Sequence, residues 1–80
     1  MNKETLEKDV CLIVGLLSNT DPSSLTRNTV FGQDIVVDSM AAMTINAALT
    51  EKYEHAPSYS EVCNAHCIGD LIDKIAELNS

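Results

Sequence analysis

Two stretches of aliphatic residues at helical spacing, one near each end of the chain, limit the fold more than any other feature. Leu6, Val10, Ile13 and Leu17 recur at steps of four, three and four, so they share one stripe of a helix running from about Lys3 to Ser18. Ile68, Leu71, Ile72, Ile75 and Leu78 do the same for a last helix starting near Ile68. Each stripe must be buried against another element. With 80 residues there is room for one domain and a small core. Apolar residues make up 45% of the chain but aromatics only 4%, so that core is aliphatic, which suits a helical bundle better than a sandwich or barrel.

Between the stripes the signals are punctuation and one further helix. Asn2 is placed to cap the first helix, and Ser18-Asn19-Thr20 ends it. Asp21-Pro22 reads as a cap followed by a first-turn proline, the start of a single helical turn. Residues 19–38 form a long connection that needs pinning to the core, and Leu25, Val30, Phe31 and Ile35 are the candidates. From Ser39 to Glu54 there is neither Gly nor Pro, and a second helix is expected there. At 100° per residue, Ala42, Ile45, Asn46, Leu49 and Tyr53 share its inward side. Met40, Met43, Thr44, Ala47, Glu51 and Glu54 share the outward side, apolar above and acidic below. His55-Ala56-Pro57-Ser58 breaks the helix, and Ser60 is expected to cap one short turn through Val62 and Cys63. Asp70 suits the first turn of the last helix.

Charge removes some function classes. Twelve acids against five bases give a net charge of -7, which speaks against nucleic-acid binding and for soluble behaviour with basic protein partners. The polar N-terminal Met1-Asn2-Lys3-Glu4 does not read as a signal peptide, and no apolar run reaches bilayer-spanning length. Three cysteines without disulfide-framework density fit a reducing cytoplasm.

The triplet Asp38-Ser39-Met40 sits where the loop gives way to the second helix. A hydroxyl there is exposed at the positive end of a helix, where unpaired N–H groups and the dipole favour a phosphate ester. The plainer alternative is that Asp38 or Ser39 only caps the helix. Cys63, His66 and Cys67 are close in sequence, but their spacing matches no structural zinc site, and the cysteines read as small buried apolar residues. His55 and His66 lack a nucleophile partner, so no hydrolase and no enzymatic activity of the chain's own is expected. Asn46 on an inward face implies a hydrogen-bond partner or a cavity, with the partner favoured.

The order of long helix, long loop, Asp-Ser-apolar, helix, short turn and helix resembles the acyl carrier proteins. The likeness covers nearly the whole chain. It rests on Leu25-Thr26-Arg27-Asn28 followed by Phe31, on Asp34-Ile35, on Asp38-Ser39-Met40, and on Ile68-Gly69-Asp70-Leu71-Ile72. The resemblance implies an all-α, up-and-down four-helix bundle with a short third helix and a long loop between helices one and two. It implies a 4′-phosphopantetheine arm on Ser39, installed from coenzyme A by a phosphopantetheinyl transferase, with Asp38 helping to position the incoming group and its metal. The arm would carry acyl groups as thioesters between the loading and processing enzymes of fatty-acid, polyketide or related biosynthesis, with the carrier itself a monomer.

The chain departs from the family in three places. Val36-Val37 stand where small residues are common, residues 40–50 carry no charge, and Pro57 falls at a position that usually packs, with Tyr59 offered as its substitute. Docking through Met40, Met43, Thr44, Ala47, Glu51 and Glu54 is therefore expected to depend less on salt than docking through a strongly acidic helix would. An aminoacyl or peptidyl carrier loaded by an adenylating ligase, or an acidic helical adaptor in which Ser39 is only a cap, are the alternative readings.

Overall fold

The first helix forms where its cap and its stripe coincide. The Asn2 side chain accepts from the Glu4 N–H at 2.8 Å and opens α1, Lys3–Ser18. The computed structural model describes residues 2–80 and shows an all-α four-helix bundle with a short third helix. Helix α2 spans Ser39–Lys52, α3 Tyr59–Asn64 and α4 Ile68–Leu78, with one 3₁₀ turn, Pro22–Ser24, after α1. The Asp21 carboxylate caps that turn by accepting from the Ser23 N–H, and Pro22 takes its first position.

The inward stripe of α1 is turned slightly from the one expected. Leu6, Val10 and Val14 are buried, with Cys11 and Gly15, whereas Ile13 and Leu17 are only partly covered. The cause is the 3₁₀ turn, which packs on the Cys11–Gly15 side. A Cβ on Gly15 would lie 2.9 Å from both Pro22 Cγ and the Thr20 carbonyl, so that approach needs glycine. In α4, Ile68, Leu71, Ile72 and Ile75 are buried as their spacing requires. Helix α1 packs on both α2 and α4, and α2 packs on α3.

Two boundaries differ from the sequence expectation. Helix α2 stops at Lys52 rather than Glu54. Tyr53 takes an extended backbone (φ −120°, ψ 138°), and its phenol donates to Asp9 on α1 at 3.3 Å. The cap of α3 is Ser58, not Ser60. Its hydroxyl accepts from the Glu61 N–H at 3.2 Å while the Glu61 carboxylate accepts from the Ser58 N–H at 2.9 Å. Pro57 is itself fully buried and Tyr59 is exposed, so no substitute packs in its place.

The long connection is pinned by backbone as well as by side chains. Leu25 and Ile35 are buried, and Val30 and Phe31 are partly so. Residues 27–31 hydrogen-bond to the start of α4: Gly69 N–H to Arg27 O at 2.8 Å, Ile68 N–H to Thr29 O at 3.0 Å, and Phe31 N–H to His66 O at 3.0 Å. Gly69 permits this approach, since a Cβ there would lie 2.9 Å from the Arg27 carbonyl. A tight turn at Gly32 (φ 85°) then brings the chain back to Ile35 and on to α2.

Candidate functional site

The start of α2 is built by Asp38. Its Oδ1 accepts from the Ala41 N–H at 2.8 Å, and its carbonyl accepts from Ala42 at 2.9 Å. The cap is therefore Asp38, which leaves Ser39 as the first helical residue rather than a capping one. Ser39 is exposed, and its hydroxyl makes no hydrogen bond among the described residues. The N–H groups of Ser39 and Met40 likewise have no partner among the described residues. A free hydroxyl, two free donors and the positive end of a 14-residue helix thus meet at one point.

A cleft of about 250 Å³ opens beside this point. Phe31 and Val37 from the loop, Ala42 and Ile45 from α2, and Val62 and Ala65 from the α3 region form its apolar walls, and Asp38, Ser39 and Cys63 also line it. The structure thus brings Ser39 and Asp38 together with residues that spacing alone did not connect to them. The usable signal was the pair Val36-Val37 immediately before Asp38. Extended chain alternates its side chains, so Val37 turns into the cleft while Val36 is left 79% exposed.

The outward face of α2 lies where it was expected. Met40 and Met43 are 77% and 59% exposed, and Thr44, Ala47 and Glu51 are exposed beside them. The Thr44 hydroxyl bonds back to the Met40 carbonyl at 2.9 Å. Glu54 is exposed too, but it lies beyond the last turn of the helix. Neither Glu51 nor Glu54 is in an ion pair among the described residues, since the bridges run Arg27 and Lys3 to Asp73, Lys52 to Asp9, and Lys74 to Glu61.

Asn46 is partly buried, and its amide donates to the Pro57 carbonyl at 2.7 Å, tying α2 to the segment that leads into α3. This is the paired arrangement. At the end of α2, burial and the neighbouring Asp9 carboxylate push the Tyr53 phenol up to about 12. The cysteine expectation is corrected. Cys63 is exposed, at the edge of the Ser39 cleft rather than in the core, and Cys67 is half-buried at the entry to α4. The Cys63 thiol beside Tyr59 raises that phenol above its usual range. No group of three metal-ligating side chains is gathered among the described residues. None of the described helices is long and apolar enough to cross a membrane.

A larger groove, about 690 Å³, lies elsewhere, along α1 and the 3₁₀ turn. It shares no lining residue with the Ser39 cleft. No residue of the α2 start lines it. Comparison with known proteins finds no family model that matches the chain and no matching curated sequence.

Proposed function

We propose that the chain is a carrier that holds acyl groups as thioesters on a 4′-phosphopantetheine arm attached to Ser39. The observation that carries the reading is the unpartnered, exposed Ser39 hydroxyl at the start of α2 beside an apolar cleft. The residues present fit the group. The Ser39 and Met40 N–H groups and the helix dipole favour the phosphate of an ester at Ser39 Oγ. Asp38 Oδ1 holds the helix start, and Oδ2 has no partner among the described residues, which leaves it open to the metal ion of a transferase.

In the loading step Ser39 Oγ attacks the phosphorus of coenzyme A that bears the pantetheine. A new O–P ester bond forms, the pyrophosphate P–O bond breaks, 3′,5′-ADP leaves, and the serine proton passes to a base of the transferase. When attached, the arm supplies a thiol that holds an acyl group as a thioester. The apolar walls of the cleft would suit a short alkyl segment of such a group. In this reading the acyl chemistry falls to partner enzymes. Those partners are a phosphopantetheinyl transferase and acyl-loading and acyl-processing enzymes. They would meet Met40, Met43 and Ala47, whose flexible apolar side chains suit varied surfaces, with Glu51 and Glu54 at the lower edge. A monomer working in the cytoplasm fits the acidic surface and the unpaired cysteines.

The test is intact mass after incubation with coenzyme A, magnesium and a broad-specificity transferase. One phosphopantetheinyl increment is expected, mapping to Ser39, with none on Ser39→Ala at unchanged helical circular dichroism. A wild type that stays unmodified supports the adaptor reading in which this helix start only caps, and a modified Ser39→Ala moves the attachment elsewhere.

A further inference from the structure

Among the described residues six large apolar side chains are markedly exposed, and two of them, Leu12 and Leu16, lie on α1 away from the Ser39 cleft. They are 49% and 70% exposed and four residues apart, so they stand one above the other on the same helical face. Leu12 also lines the groove of about 690 Å³, whose floor is completed by Cys11, Pro22 and Leu25. Two acids, Glu4 and Glu7, line its upper part, and Asp21 precedes Pro22 at its side. None of these three carboxylates is in an ion pair among the described residues. One cation, Lys8, also lines the groove, and it too has no ion-pair partner among the described residues. The rim is net acidic and the floor apolar.

We infer that this groove is a second docking surface, for a cationic amphipathic helix of another protein. A helical occupant follows from the shape. The groove runs along a helix, and ridges of side chains on one helix seat in the grooves of another. From Glu4 to Leu16 the face is roughly 18 Å long, which accepts about three turns of a partner. A cationic occupant follows from the charge. The three unpaired acids outnumber the one lysine, and the whole chain carries a net charge of -7. That same charge disfavours a second copy of this chain, since like-charged surfaces repel. The Ser39 face remains open when this groove is filled, because the two share no lining residue. A chain held here would stay bound to one protein while presenting Ser39 to another. The inference does not depend on what Ser39 carries.

The probe is a synthetic 15-residue peptide with leucines at helical i, i+3, i+4 spacing and lysines on the other face, titrated into isotopically labelled protein. Amide shift changes are expected to concentrate at Glu7, Cys11, Leu12, Leu16, Ser23 and Leu25. The exposed pair Leu12→Gln with Leu16→Gln should weaken binding by about ten-fold or more with the fold intact, and Glu4→Gln with Glu7→Gln should weaken it and flatten its salt dependence. Met40→Gln with Met43→Gln, and Ser39→Ala, should leave binding unchanged. Shifts centred on Val36, Met40 and Met43 would overturn the assignment, as would shifts scattered over all the acids. Sedimentation showing a dimer that the leucine variant dissolves would replace the foreign helix with a second copy.

Discussion

The starts of α2 and α4 face the same long loop and are treated in opposite ways. At α4 the first three amides are all taken: Ile68 by Thr29 O, Gly69 by Arg27 O, and Asp70 by Cys67 O. The Asp70 carboxylate also reaches back to the N–H of His66 at 2.8 Å. At α2 only the third amide, that of Ala41, is taken, and Ser39 and Met40 keep theirs. The outward faces differ in the same sense. Beyond its buried stripe α4 presents Asp70, Asp73 and Glu77, whereas α2 presents Met40 and Met43. Apart from Leu78 in its last turn, the large apolar side chains of α4 are taken up by the core, and those of α2 are not. A helix start whose donors are consumed by backbone is a joint. One whose donors are spare, beside spare apolar surface, has something left to bind.

The strongest way to break this contrast is to force the sealed start open. Gly69→Ala puts a Cβ against the Arg27 carbonyl and is expected to cost about 2–3 kcal/mol, while Ser39→Ala at the open start should stay within about 0.5 kcal/mol of wild type. Thermal or denaturant melts of the pair decide it, and equal costs would erase the distinction. Next comes Asn46→Leu, which strands the Pro57 carbonyl at the only side-chain tie between α2 and the approach to α3 among the described residues, at about 1–2 kcal/mol. A more stable variant would mean that this amide adds nothing to the hold on α2.

Tyr53 sharpens the comparison from the far end of α2. Unfolded, its phenol ionises near 10, whereas in the fold it stays neutral up to about 12. Its contribution is therefore full below pH 10 and is lost as pH rises from 10 to 12. Allowing for its partial exposure this amounts to about 1 kcal/mol, visible as a steeper alkaline loss of stability in wild type than in Tyr53→Phe. The smallest effect belongs to Arg27→Ala. The seal at α4 is made by the Arg27 carbonyl, and the guanidinium contact with Asp73 at 2.8 Å is exposed, so the change should cost under about 1 kcal/mol in urea unfolding. A loss as large as that of Gly69→Ala would assign the seal to the side chain.

The parts of this fold that rest on periodicity were readable from the chain. The stripe of α4, the caps Asn2 and Asp21, and the inward and outward sides of α2 all follow from residue type and spacing. What escaped depends on contacts between distant segments. Helix α2 ends early because Tyr53 is drawn to Asp9, 44 residues away, which no local pattern encodes. The choice of Ser58 over Ser60 as the cap of α3 turned on the reciprocal partner Glu61, three residues on, a local signal that was there to use. At the candidate site, the placement of Asp38 and Ser39 at the start of α2 was legible, but the cleft was not. Val37, Val62 and Ala65 come together only through the folding of the loop over α3.

The seal on α4 also sets an order of events during synthesis. Arg27 and its partner on α4, Asp73, are 46 residues apart in sequence, and α1 and α4 are the first and last helices of the bundle. A nascent chain that has emerged as far as Asn64 can form α1, α2 and α3 locally, yet Leu6, Val10 and Val14 still lack the helix that covers them. The long connection has nothing to fasten to until Ile68 and Gly69 appear. Such distant pairings are slow to close, since the intervening chain must give up its freedom first. The start of α2 therefore gains its fixed setting only after α4 has left the ribosome, and until then Ser39 sits on a helix whose neighbours are not yet in place.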